Sequence, residues 1–238
     1  MDDKPIMATL TGEYFQPVRL HYQVADHQGL LAAFKKIRCV QHDASQDRWV
    51  WLYEEEAKGQ RFKNSYEQIA PNLRPIVLGS FFLRREDQLL LDLRSCERAT
   101  MAILFFDRRI PRKVAKVTEC EVINRLFPAD ENPKIMPHDL FDRQQTTPID
   151  PDAEMQELVD SVAHLDDPQE KLRVALEEMN ARSKRPLPEI ERFPIHFYED
   201  GIQGFESTLR VRQMVAYQHW LGNSEYSMHD VIQEMVTR

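Results

Sequence analysis

Pro75-Ile76-Val77-Leu78-Gly79-Ser80-Phe81-Phe82-Leu83 and Gln88-Leu89-Leu90-Leu91-Asp92-Leu93 are two apolar runs separated by Arg84-Arg85-Glu86-Asp87. Runs of this length, joined by a short polar connection, predict a β-hairpin. Ser95 follows at an N-cap position, and Glu97 falls in the first turn, where a carboxylate complements the helix dipole. The spacing predicts a helix from there to about Arg109, ended by Pro111. Ala99, Met101, Ala102, Ile103, Leu104, Phe105 and Phe106 make it apolar around much of its circumference, as suits a helix lying flat on a sheet. Val114–Ile123 then reads as a closing strand.

Working outward towards the start, Val18, Leu20, Tyr22 and Val24 alternate along a strand over residues 17–24. Asp26 caps a helix whose stripe is Leu30, Leu31, Phe34 and Ile37. A short strand over residues 38–42 follows. Residues 48–53, Arg-Trp-Val-Trp-Leu-Tyr, form a β-prone run that is apolar on both faces and belongs inside a sheet. The order β-α-β-β, then β-β-α-β, predicts an α+β fold: a mixed or antiparallel sheet with helices on one face, ferredoxin-like in character.

Towards the end of the chain the pattern changes. Pro128, Pro133, Pro137, Pro148 and Pro151 punctuate residues 128–152, which read as a linker or surface loop between a sheet domain (1–127) and a mainly helical, acidic region (153–238). Asp150-Pro151 and Asp167-Pro168 each place a capping residue before a first-turn proline. The stripes are Met155, Leu158, Val159 and Val162, then Leu172, Ala175, Leu176 and Met179. Phe193, Ile195 and Phe197 alternate as a short strand over 193–198 that can extend the first sheet. Helices over 205–221 and 228–237 close the chain; Ser227 caps the last, with Met228, Val231, Ile232, Met235 and Val236 on one face.

Charge divides at the proline-rich stretch. Residues 1–127 carry 20 Lys and Arg against 17 Asp and Glu; residues 128–238 carry 11 against 22. A net of +3 therefore precedes a net of −11, which predicts two regions with different surfaces. With seven glycines in 238 residues, neither a P-loop nor a dinucleotide-binding fingerprint is present. No Gly-x-Ser-x-Gly occurs. Cys39, Cys96 and Cys120 are few and widely spaced, which predicts free thiols in a reducing, cytoplasmic setting. No apolar run suggests a membrane span.

Four groups of residues carry possible chemistry. Arg108, Arg109, Arg112, Lys113 and Lys116 place five cations in nine residues; they either complement a helix C-terminus or receive an anionic partner. Trp49, Trp51 and Tyr53 share one strand face; exposed, they would stack bases, and covered, they are core. Asp43, Asp47, Glu56 and Lys58 include a Glu-x-Lys that formally matches a Mg²⁺-holding constellation, with Asp92 on another strand. Cys39-x-x-His42 is half of a zinc site without a recognisable second half. The expectation is a non-enzymatic binding or adaptor protein that needs no cofactor and no metal. Its weakly basic domain meets a nucleic acid or an acidic protein, and its C-terminal helices can meet a protein partner. The alternative is a metal-dependent phosphodiesterase or nuclease using the Asp and Glu-x-Lys set.

Overall fold

Eight strands hydrogen-bond into one continuous sheet in the order β2-β3-β4-β5-β1-β6-β8-β7 in the computed structural model, which describes residues 5–131 and 136–237. Pro133, the first four residues and the side chain of Val236 lie outside that description. The strands are β1 (Val18–Val24), β2 (Val40–Asp43), β3 (Arg48–Leu52), β4 (Val77–Arg85), β5 (Gln88–Leu93), β6 (Ala115–Ile123), β7 (Thr147–Pro148) and β8 (Ile190–Pro194). Every neighbouring pair is antiparallel except β7 and β8.

The helices are α1 (His27–Lys36), α2 (Cys96–Asp107), α3 (Pro137–Arg143), α4 (Pro151–Val162), α5 (Pro168–Ser183), α6 (Phe197–Asp200), α7 (Ile202–Trp220) and α8 (Met228–Val236). Local chemistry sets their starts. The Asp26 carboxylate accepts from the Gly29 amide, and the Ser95 hydroxyl accepts from the Arg98 amide. Asp150 and Asp167 cap α4 and α5 ahead of their prolines, so four helix starts have orphan amides satisfied where the sequence places a cap.

Alternation along β1 sorts the sheet into two unlike faces. Leu20 and Tyr22 point towards α1 and α2, together with Leu91 of β5 and Phe81 of β4. There Phe81 meets Phe34 of α1 and Phe106 of α2 at ring-centroid distances of 4.9 Å each. Leu209 and Phe205 of α7 extend this core beside α2. Arg19 and His21 occupy the reverse face, opposite Asp92 and Leu90 on β5 and Glu121 and Glu119 on β6. α3 lies against that reverse face, where Phe141 joins Phe15, Ile123, Phe127 and Ile190 in a second, smaller core.

The charge boundary is not a boundary of the sheet. β8 pairs with β6 from Glu119↔Pro194 to Ile123↔Ile190, so residues from beyond the proline-rich stretch extend the sheet begun by the first half. That stretch itself contains α3 and the two-residue β7. Phe141 anchors it, because a buried aromatic ring removes more apolar surface from water than prolines and turns can.

Candidate functional site

The turn that carries the chain from α2 to β6 projects the cationic cluster. Ile110 and Val114 are buried and pin its two ends, while Arg108, Arg112, Lys113 and Lys116 are exposed between and beside them. The five cations are used differently. Arg109 lies 3.7 Å over the Phe105 ring and donates to the Phe105 carbonyl at 2.9 Å, so it complements the end of α2. Arg112 forms a two-pronged pair with Asp107 at 2.8 and 2.9 Å. Its guanidinium sits 4.9 Å from the Tyr198 ring, which Lys116 approaches at 5.6 Å. Arg108, Lys113 and Lys116 meet no carboxylate at ion-pair distance among the described residues. One of the five charges is therefore neutralised by an acid, and three are exposed without a carboxylate partner among the described residues.

Beside this turn is a groove of ≈ 430 Å³ between α1 and the end of α2. Lys36 and Arg109 contribute its cations, Ala32 and Ile37 its apolar wall, and Glu56 its one acid. Glu56 is already occupied: it accepts from the Arg38 and Cys39 amides and from the Arg38 guanidinium. Burial opposes its ionisation, but these donors and its own amide outweigh burial and hold its carboxyl at about 2. The nearby Cys39 thiol is pushed up to about 12 by burial and by Glu56, which makes it a poor nucleophile.

The structure does not bring the Asp43, Asp47, Glu56 and Lys58 set together. Asp43 closes the β2–β3 hairpin, where Ser45 and Arg48 engage its carboxylate. Asp47 sits in the left-handed region in that turn, 3.7 Å from His42. Glu56 grips the opposite end of the hairpin at the Cys39 amide, roughly 13 Å from Asp43 along the strand. Lys58 points elsewhere, its Nζ 4.3 Å over the Tyr66 ring. Asp92 is buried in a two-pronged pair with Arg19 at 2.6 and 2.9 Å. Among the described residues, no three His, Cys, Asp or Glu side chains converge as a metal-holding group. Cys39 is buried, and the His42 ring packs 4.9 Å from Trp49.

The aromatic stripe faces the helices. Trp51 is fully buried between Phe105 and Phe106, and Tyr53 meets Phe62 and Tyr66 edge-on. Trp49 packs against Phe34 at 5.3 Å. With two of the three rings covered, the stripe offers no row of open π-faces for bases.

Buried ion pairs are what the sequence reading overlooked. Arg19 reaches both Asp92 and, at 2.8 Å, Asp142 of α3, and so ties α3 to the sheet. Burial works against the Asp142 carboxylate, yet Arg19 and Arg84 hold it below the usual carboxylate range. Arg98 of α2 donates to the Val77 and Leu78 carbonyls and lies 3.5 Å from Glu13. Arg212 of α7 clasps Glu191 of β8 at 2.6 and 2.9 Å, and Asn124 donates to the same carboxylate. The one local signal was a charged residue at a strand position flanked by apolar neighbours, as with Arg19 between Val18 and Leu20.

Among the described residues, no helix is long and apolar enough to cross a membrane. Comparison with protein-family models, curated proteins and solved structures returned no match.

Proposed function

We propose that this chain is a non-enzymatic binding protein whose cationic turn and neighbouring groove receive an acidic protein surface. The observation that carries the reading is the exposure of Arg108, Lys113 and Lys116 without a carboxylate partner among the described residues, beside a groove that also holds Lys36 and Arg109. Cations left open at the end of a rigid helix raise the local concentration of anions and speed encounter with them. A protein partner is favoured over nucleic acid because Trp51 and Tyr53 are buried and supply no stacking platform for bases.

The test is fluorescence anisotropy with two labelled probes, a polyglutamate peptide and a single-stranded oligonucleotide, over a salt series. The peptide should bind and release as salt rises, and the combined Arg108→Ala, Lys113→Ala and Lys116→Ala variant should bind about tenfold more weakly. Preference for the oligonucleotide would transfer the reading to nucleic acid. Binding of neither probe at low salt would remove it.

A further inference from the structure

At the other end of the molecule, α4 and α5 form an antiparallel hairpin that hides almost none of its apolar stripes. Ser161 donates to Glu178, and Arg182 donates to the Glu154 carbonyl and pairs with Glu178 and Glu157, which sets the two helices side by side. Leu158 is the one residue of the pair that is buried. Met155 and Val159 of α4, Leu172, Leu176 and Met179 of α5, and Ile232 and Met235 of α8 are all 46–61% exposed. These positions are not scattered. Leu172, Leu176 and Met179 follow i, i+4, i+7 spacing on α5, and Met228, Ile232 and Met235 do the same on α8. The stripes converge where Met155, Leu158, Met179 and Met228 line one groove of ≈ 480 Å³.

Two-helix hairpins gain most of their stability from burying an apolar face, and among the described residues this one buries only Leu158 of its stripes. We infer that a second copy of this chain covers it, with two α4–α5 hairpins packing about a two-fold axis into a four-helix arrangement flanked by α8. Area and charge both favour this occupant. Seven half-exposed large side chains leave on the order of 600 Å² of apolar surface open per chain, close to the roughly 800 Å² that each partner of a standard interface buries. The patch spreads across three helices, a breadth that suits a flat helical surface better than a single inserted peptide.

Charge decides which helix lies at the axis. α5 carries Glu170, Glu177 and Glu178 against Lys171, Arg173 and Arg182, and it is neutral as a unit. Arg173 already bridges Glu170 and Glu177 along the helix, so α5 approaches its own copy without net repulsion. α4 carries Asp152, Glu154, Glu157 and Asp160 with no Lys or Arg. Opposite itself it would repel; opposite the partner's α5 it meets Lys171 and Arg173. The interface therefore sets α5 against α5 at its centre and places α4 outside. This surface is separate from the cationic turn, and either can fail without the other.

Sedimentation velocity and light scattering on the full chain test the assignment. The wild type at about 10 μM should show twice the 28.1 kDa of one chain. Leu176→Gln and the double variant Leu172→Gln with Leu176→Gln should give one chain mass at that concentration, with unchanged far-ultraviolet circular dichroism. Because Leu176 is more than half exposed, its replacement leaves the fold of each chain intact. Leu176→Cys should cross-link to double mass on oxidation, the three native cysteines being buried. A wild type of single-chain mass up to about 100 μM overturns the proposal. So does a double-mass species that Leu176→Gln leaves unaltered, or a single-chain wild type that instead takes up the cationic amphipathic peptide melittin on this face.

Discussion

α2 and α5 both read in the sequence as helices with a capping residue ahead of an apolar stripe, and they end in opposite environments. α2 buries seven of its twelve residues and α5 buries none of its sixteen. The difference lies in what stands opposite. α2 lies on the β1–β4–β5 face, where Leu20, Phe81 and Leu91 wait for it. α5 has α4 beside it and solvent above its stripe. A stripe of apolar residues marks a surface that gains by being covered; the sheet half of this molecule covers its own, and the hairpin half leaves its stripes about half exposed.

The sharpest way to break this contrast is to cut into the sheet half. Trp51→Ala should lower the unfolding free energy by about 3–5 kcal/mol, because it leaves a cavity between Phe105 and Phe106 that the packed rings cannot fill. Urea unfolding measures it, and a loss below about 1 kcal/mol would mean that this core is no better packed than the hairpin.

Next in size is the buried pairing that fastens the N-terminal segment to α2. Burial lowers the Arg98 guanidinium to about 10, with Glu13 opposing the shift. Arg98→Ala should cost about 3 kcal/mol by removing the countercharge of the buried Glu13 carboxylate, which keeps its Thr9 and Thr11 hydroxyl donors, and adding Glu13→Gln should recover part of the loss. A double-mutant cycle with no coupling would show that the two groups stand together without interacting.

Smaller again is Glu56→Gln, expected to cost about 1 kcal/mol at neutral pH once solvent access to the carboxylate is allowed for. The folded carboxyl is depressed from 4.5 to about 2, so its contribution is complete above pH 4.5 and fades as pH falls through 2. Wild type and variant should therefore converge in stability near pH 2; a gap that persists there would assign the effect to packing.

The smallest change belongs to the hairpin. Leu172→Gln should leave the stability of the dissociated chain within about 0.5 kcal/mol, since 61% of that residue is already in water. Thermal unfolding at high dilution checks it, and a large loss would mean that the stripe is covered within its own chain.

The legible part of this molecule was local. Alternation over 17–24, the hairpin at Arg84-Arg85-Glu86-Asp87 and the caps at Asp26, Ser95, Asp150 and Asp167 all appear where the residue pattern placed them. The alternation read over 193–198 was only partly right: β8 runs Ile190–Pro194 and Phe197 opens α6, while Phe193, paired with Cys120, extends the sheet across the change in charge. Residues 128–152 concealed α3, because five prolines mask a seven-residue helix whose apolar signal is little more than Leu140 and Phe141. The candidate carboxylates looked close because they are close along the chain. A two-stranded hairpin put Asp43 and Glu56 at its opposite ends.

What the sequence by itself determined is the alphabet of elements, since periodicity, caps and turn residues act over four or five neighbours and need no distant partner. What only the tertiary structure decided is which groups are spent and which are free. Arg19 finds Asp92 across 73 residues of chain, and Arg112 closes on Asp107, while Lys113, next to it, meets no acid among the described residues. Coulomb attraction and burial depend on separation in space, and that separation exists only once the strands have paired and the helices have settled on one face or been left without one.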